Sequence, residues 1–505
     1  RLEWSGAVTL DRYHNGVQSA TGLLSSALRG GNFFKIDSQG DLRVQQSNGT
    51  VNALRFVTTS SNDPAVLPSG TSQIGNFQIG HVAASYALEA GDVIPNFSPL
   101  SSALPLRGVQ GRLTLGKVAV TAFSGVVAES WEALDQFDRR TQPLQAVRGL
   151  KLEIPLSESL RVHTTSQQFT LRPSTTTWGA DAGLGDDHSK NTTLGLTYQR
   201  EDFMVTAEAG RSRFSGGADG DRNGRAVVAD LSWKLSDVSV RAGFHDVGSA
   251  YTSLSQAAMA GVRETYIAGN WEAGAWVTFG ADVRQSRNAS LPVPGSLSVT
   301  SETTATSVNA NLKLGPDLPG WSLVMQHARS MSTSIGEQRQ SNSGSGISAA
   351  YSSPEWSGNL GLSRDRVENS SYPEGDSKAN TWSWSVRRAL GVAETSVWTG
   401  AVGLSGRNQI QRTAIGRVGT ADFGLQLSAE RSGRSVINLS WTGGHLSQDG
   451  VLPPTRSRGL QVDASLRLHD QLQIKVYVRY DRRNFDDPIL AVAERTVGLQ
   501  LSSKF

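Results

Sequence analysis

From residue 107 onward, apolar and polar side chains alternate with a period of two, segment after segment. In the stretch Gly459–Tyr480, Leu460, Val462, Ala464, Leu466 and Leu468 alternate with Gln461, Asp463, Ser465 and Arg467. After His469, Asp470 and Gln471, the residues Leu472, Ile474, Val476, Val478 and Tyr480 alternate with Gln473, Lys475, Tyr477 and Arg479. A period of two puts successive side chains on opposite faces, so both arms are β-strands with one apolar and one polar face, joined by a tight turn. The closing segment Thr496–Phe505 continues the pattern through Val497, Leu499, Leu501 and Phe505.

The same reading recurs upstream. Val109–Leu115 pairs with Val118–Val126 across Gly116, and Leu150–Ile154 with Leu160–Thr170 across Pro155–Glu158. Further hairpins run through Leu194–Ala207, Val227–Phe244, Tyr266–Val283, Val308–Met325, Ile347–Leu362, Trp382–Leu404 and Phe423–Trp441. Short turns alternate with looser polar connections, namely Phe214–Asn223, Arg287–Glu302, Ser332–Ser345, Val367–Ala379, Gly406–Val418 and Gln448–Arg458. Tyr198, Phe203, Trp233, Trp321, Tyr351, Trp356, Trp384 and Trp398 lie within a few residues of the short turns and mostly in phase with the apolar face, as a ring of aromatics at one membrane interface would produce. Such alternation predicts an all-β, closed, antiparallel, up-and-down transmembrane β-barrel. Residues 1–505 form one barrel, of which 107–505 are regular hairpins. Roughly 21 strands follow Arg107 and an even total is required, which gives about 26, with 24 and 28 as bounds.

Residues 1–106 are less regular. Leu2, Trp4, Gly6, Val8 and Leu10 read as the outward face of a first strand. Phe33–Ile36, Asp41–Gln46 and Val51–Thr59 read as separate strands, and Phe77–Leu88 as one extended piece, while Val17–Gly31 fits strand, helix or loop equally. The stretch from Glu89 to Gly108 carries several prolines and no periodicity.

Composition supports a barrel over other membrane folds. Only 38% of the 505 residues are apolar and mean hydropathy is −0.30. No run of about 18 apolar residues exists, so membrane-spanning helices are excluded, whereas barrel strands with a wet inner face escape that test. The chain has no cysteine, which removes disulfides and thiolate chemistry. It begins at Arg1, which we read as a processed or truncated start.

The terminal strand, ending on Phe505 after alternating apolar residues, resembles the closing strand of bacterial outer-membrane barrels; Ser503 stands where that family has another apolar residue. The resemblance implies residence in the bacterial outer membrane, contact with its lipid, and Phe505 as the assembly signal. Gly91, Asp92, Pro95, Phe97, Ser98, Leu100, Leu106, Arg107 and Gly108 resemble a segment of the very large gliding-motility and type 9 secretion barrels. The expected strand number is also similar to that of porins that sheathe multihaem cytochromes, without their amino-terminal CxxC. Neither the plug of TonB-dependent transporters nor that of pilus ushers is visible. These likenesses imply two functions: a channel exporting a protein or acidic polysaccharide, gated or plugged by a periplasmic or lumenal partner protein, or a structural sheath around an inserted electron-transfer partner.

Candidate chemistry is sparse. The eight histidines are scattered and no nucleophile, base and orienting group fall together, so we expect no enzyme, no cofactor, no transition-metal site and no nucleic-acid partner. Asp219, Asp221, Asn223, Gly224 and Asp230 have the spacing of a calcium-binding loop, against which stands an ordinary exposed polar loop. On the polar phase, expected to line the lumen, lie Arg112, Lys151, Arg161, Lys234, Arg241, Arg284, Lys313, Arg387, Arg467, Lys475 and Arg479, against Glu153, Glu208, Asp230, Asp282, Asp422 and Asp463. A basic excess there would favour anions, while ion pairing would merely stiffen the wall.

Overall fold

The computed structural model describes residues 1–505 apart from 20–27, 68–70, 96, 102–104, 128–130, 136–143, 173–186, 217–219, 254–259, 290–299, 335–337, 371, 392–396, 415, 432–433, 449–453 and 486–490. The first strands are β1 (Leu2–Ser19), β2 (Gly31–Gln45), β3 (Val51–Ser61), β4 (Ser72–Val82), β5 (Tyr86–Val93), β6 (Leu106–Leu115), β7 (Val118–Val127), β8 (Leu144–Pro155) and β9 (Leu160–Arg172). They are followed by β10 (Asp187–Arg200), β11 (Phe203–Ser215), β12 (Arg222–Lys234), β13 (Val238–Val247), β14 (Val262–Ala273), β15 (Val277–Ala289), β16 (Thr300–Lys313), β17 (Trp321–Ser334) and β18 (Gln338–Ser352). The chain closes with β19 (Trp356–Asn369), β20 (Ser377–Leu390), β21 (Trp398–Thr413), β22 (Gly416–Arg431), β23 (Ser435–Gln448), β24 (Thr455–His469), β25 (Leu472–Phe485) and β26 (Val492–Lys504). One helical turn, α1 (Glu132–Asp135), lies between β7 and β8.

Every strand pairs antiparallel with the next, and β26 returns to β1 with Ala7 opposite Lys504 and Ser19 opposite Val492. The sheet is therefore a closed 26-stranded barrel. Closure removes the free edges that an open sheet of this width would expose. At the seam, Gly6 and Phe505 exchange backbone hydrogen bonds of 2.8 and 3.0 Å, and the Trp4 and Phe505 rings stack with centroids 5.7 Å apart. Both chain ends thus lie on the side of the short turns, the side that faces the periplasm in bacterial barrels.

Burial separates the two faces. Phe123, Val147, Asn191, Glu208 and Val228 are buried by chain folded inside, whereas Trp4, Leu88, Ile267, Leu360, Trp382 and Leu499 stand exposed on the opposite phase. A continuous exposed apolar face around a closed sheet is a lipid-facing surface. Near the short turns it carries Trp233, Trp271, Trp321, Trp356 and Trp398. Trp384 departs from that girdle: it lies in mid-strand, opposite Leu360 and Gly406.

Several boundaries differ from the sequence pattern. Residues 33–36 and 41–45 belong to the single strand β2, because Ser38, Gln39 and Gly40 keep the ladder with both β1 and β3, and Gln46 lies just past its end. The extended piece 77–88 is two strands, β4 and β5, joined at residues 83–85. Much of the stretch Val17–Gly31 lies outside the described residues. Connections between odd and even strands are shorter than their polarity suggests: β21 runs to Thr413 and β22 starts at Gly416. Parts of those connections, 217–219, 290–299, 335–337, 371, 415 and 449–453, lie outside the described residues. The physical reason is height. A strand of 14 to 16 residues, as in β16 to β25, spans ~46–53 Å along its axis. At a tilt near 40° it stands ~35–40 Å tall, against an apolar band of about 25 Å. Above that band both phases turn polar, alternation fades, and the wall continues.

Candidate functional site

The candidate site is the lumen, and its most distinctive feature is a strap of chain between β5 and β6. β5 has only eight residues. At its end Gly91 adopts φ +110°, a conformation L side chains rarely take, and a Cβ there would stand 2.0 Å from the carbonyl oxygen of Phe77. The chain then leaves the wall and turns inward through Pro95, Phe97, Ser98, Leu100 and Ser101, all buried. Phe97 meets Phe123 edge-on at 4.6 Å in an apolar cluster with Val93, Leu106 and Val147. Leu100 sits in a second cluster with Ala226, Val228, Val247 and Tyr251. The strap therefore runs along the inner wall from β6 to β13.

Where β5 leaves, β4 would be left with unpaired backbone donors. Carboxylates take them: the Phe77 N–H donates to Asp92 at 2.7 Å and the Ile74 N–H to Glu132 of α1 at 2.9 Å. The Trp131 indole N–H donates to the same Asp92 oxygen at 2.8 Å, and Arg107 approaches Asp92 at 3.6 Å. The Phe77 and Ile74 backbone donors of the gap thus both have carboxylate acceptors.

A second inward segment, following β13, clamps the strap. The Tyr251 hydroxyl and the Asn191 amide both donate to the carbonyl oxygen of Leu100, at 2.9 and 3.0 Å. The Leu100 N–H donates to Glu208 at 3.2 Å, and the Ser253 hydroxyl donates to the Ser101 carbonyl. Tyr251 lies against Gly224, where a Cβ would stand 2.2 Å from the Tyr251 Cα. Burial holds the Tyr251 phenol above its ordinary value; the Asn191 amide opposes this and the Glu208 carboxylate reinforces it. A third inward contact comes from the β3–β4 connection, where Tyr13 of β1 donates to the buried Asp63 at 2.6 Å.

Strand register puts Arg112, Lys151, Arg161, Lys234, Arg241, Lys313, Arg387, Arg467, Lys475 and Arg479 on the phase shared with these buried wall residues. The structure does not gather them into one cluster. The same phase carries carboxylates beside many of the basic groups: Lys475 lies 3.1 Å from Asp463, Arg55 2.9 Å from Asp41, Lys35 2.7 Å from Asp37 and Lys151 3.4 Å from Glu153. The expected basic excess of the lumen is therefore offset, because acids such as Asp11, Asp37, Asp41 and Asp481 fall in the less regular or less apolar parts of the chain where phase is hard to read. From β14 to β22 one row of directly opposed residues is uncharged: Asn270, Gly280, Asn309, Gln326, Gly346, Ser363, Thr381, Gln409 and Thr420.

The calcium-loop spacing is not realised. Asp219 lies outside the described residues, but β12 is already extended from Arg222, so Asn223 and Asp230 stand ~23 Å apart along the strand. Asp230 instead accepts from Tyr266 at 2.8 Å and meets His245 Nε2 at 2.9 Å. Among the described residues no group of three or more His, Cys, Asp or Glu side chains is placed to hold a metal ion.

No family model matches the chain, and no curated protein matches it. Among solved structures it is similar to the translocation pore of the P pilus usher PapC, with 12% identity, 99% of each chain covered and a TM-score of 0.33. It is also similar to the FrpB iron transporter from Neisseria meningitidis (11% identity, 99% of this chain and 81% of that one, TM-score 0.44) and to the siderophore receptor PirA from Pseudomonas aeruginosa (9%, 99% and 80%, TM-score 0.42).

Proposed function

We propose that this barrel is an outer-membrane conduit for a hydrophilic macromolecule, a protein or a polysaccharide, closed at rest by its strap together with a periplasmic or lumenal partner protein. The observation that carries this reading is the uncharged row from β14 to β22, on the stretch of wall that begins beside β13, where the strap's inner-wall course ends. Small hydroxyl, amide and glycine positions offer weak, exchangeable hydrogen bonds and no fixed charge, so a hydrated polymer slides past without being held. A barrel of 26 strands is wide enough for such a cargo, since about 16 to 18 strands already leave an aqueous channel. The strap narrows that lumen from one side, through contacts that a partner is able to compete for.

The test is conductance of the purified chain in planar bilayers. A colourless preparation with large unitary conductance, raised further by removing residues 95–101, supports the conduit. A haem absorbance band that co-purifies with the barrel would select the sheath around an electron-transfer partner instead.

A further inference from the structure

The outer wall above the apolar band carries a rim in which cations outnumber carboxylates. On β19 to β22, Arg366, Lys378, Arg412 and Arg417 stand directly opposite one another across consecutive strands, all exposed on the outward phase. Like charges facing across a sheet destabilise it. Among the described outward residues of β17 to β22 the one carboxylate is Glu368, which is paired with Arg366. Opposed cations recur around the barrel, with Lys190 opposite Arg213, Arg211 opposite Arg225 and Arg458 opposite Arg482, while Arg213 meets Asp221 and the pair Arg263–Arg287 is flanked by Asp246 and Glu302. All of these lie towards the end away from both termini, where barrels of this kind meet the outer leaflet.

Directly below the rim on β17 to β21 is an open groove of about 610 Å³, floored by Met325, Ile347, Leu362 and Trp382, with Arg364 and Asn380 at its upper edge. Successive cross-strand rows thus change from apolar (Met325, Ile347, Leu362, Trp382) through mixed (Arg364, Asn380, Ile410) to cationic (Arg366, Lys378, Arg412, Arg417). Rows two residues apart on a strand are ~6.6 Å apart. A molecule that matches this sequence of rows has acyl chains below and anionic oxygens above. We propose that the β17–β22 face is a docking site for a phosphorylated, multiply acylated lipid of the outer leaflet, its phosphate oxygens bridging the opposed cations and its acyl chains lying in the groove. Phosphate supplies several acceptor oxygens to guanidinium forks and relieves the cross-strand repulsion.

Native mass spectrometry of the whole barrel in neutral detergent provides the test, with hexa-acylated diphosphoryl lipid A, an uncharged galactolipid and inorganic phosphate as probes. Lipid A should bind about tenfold or more tighter than either other probe, and the variant Arg366→Ser, Lys378→Ser, Arg412→Ser, Arg417→Ser should weaken it about a hundredfold. The control Arg200→Ser, Arg388→Ser, Arg431→Ser, on the outward face at the opposite end, should leave binding unchanged. The site is overturned by galactolipid binding as tight as lipid A, by inorganic phosphate binding as tight as lipid A, by equal loss in the control, or by retained binding in the rim variant. A dimeric mass that forms through this face without lipid overturns it as well. Without lipid the double variant Lys378→Ser, Arg412→Ser should unfold at a higher temperature than the parent, since it loses cross-strand repulsion and keeps the Arg366–Glu368 pair; should the fourfold variant not assemble, this double variant is read in the same titration.

Discussion

The carbonyl oxygen of Leu100 is the point at which the strap is held, and the strength of that hold follows from its donors. Tyr251→Phe removes one donor while Asn191 still satisfies the oxygen, so the expected cost is about 1 kcal/mol. Asn191→Ala costs more, about 2–3 kcal/mol, because its amide nitrogen also lies 2.7 Å from the Tyr251 hydroxyl and 3.3 Å from the Thr252 carbonyl, and buried partners lose their complement. The check is the temperature at which the heat-modified band appears in SDS, together with open probability in bilayers. Gly224→Ala should release the clamp outright, since a Cβ there collides with backbone and no rotamer change relieves it. The raised pKa of Tyr251 adds a pH dependence whose sign is fixed. The folded state holds the phenolic proton more tightly than the unfolded state, so its contribution is complete below the ordinary tyrosine value near 10 and is lost as pH rises beyond it. Conductance should therefore rise between about pH 10 and 11.5 in the parent chain, and stay flat over that interval in Tyr251→Phe.

At the scale of the strand, the seam between β1 and β26 rests on few residues. Removing Phe505 deletes two backbone hydrogen bonds to Gly6 and the stacking on Trp4. The aromatic contact alone is worth about 1 kcal/mol, and the frayed end exposes unpaired groups near the membrane interface. The expected result is a several-fold lower yield of heat-modifiable barrel, on the order of the tenfold that 1.4 kcal/mol represents, measured after refolding into detergent. How legible such elements were depended on whether one face met lipid. Hairpins such as β24–β25 could be read residue by residue because Leu460 to Leu468 and Leu472 to Tyr480 keep one apolar phase. The outer ends of β17 to β22 could not, because Arg366, Lys378 and Arg412 are as polar as the lumenal residues beside them. The strap's irregular sequence was plain, but its inward course was not, since the partners that hold Leu100 come from β10, β11 and the segment after β13, about 90 to 150 positions away. Only the local signal of Gly91, with Pro95 close behind, marked the exit from the wall.

For the molecule as a whole, the arrangement of lumenal charge decides what the conduit discriminates. Read from the chain, the polar phase suggested a basic interior and hence anionic cargo. In the barrel, opposite charges sit within one or two residues or one strand spacing of each other: Lys475 with Asp463, Lys35 with Asp37, and Arg407 directly across from Asp422. Strands are about 4.8 Å apart and the Debye length at physiological salt is about 8 Å, so these fields largely cancel before reaching the axis of a wide lumen. The parent channel should accordingly show weak ion selectivity, with an anion-to-cation permeability ratio of roughly 1 to 3, read from the reversal potential under a salt gradient. Reversing Arg467, Lys475 and Arg479 to glutamate should then do more than remove a preference. These positions share β24 and β25 with Asp463 and Asp481 and face Asp11 through Tyr477, so the reversal leaves one sector acidic and should turn the channel cation-selective, most clearly at low salt. Strong anion selectivity in the parent would mean that the basic phase outweighs its pairing, and acidic polysaccharide would then be the cargo class that the wall itself selects.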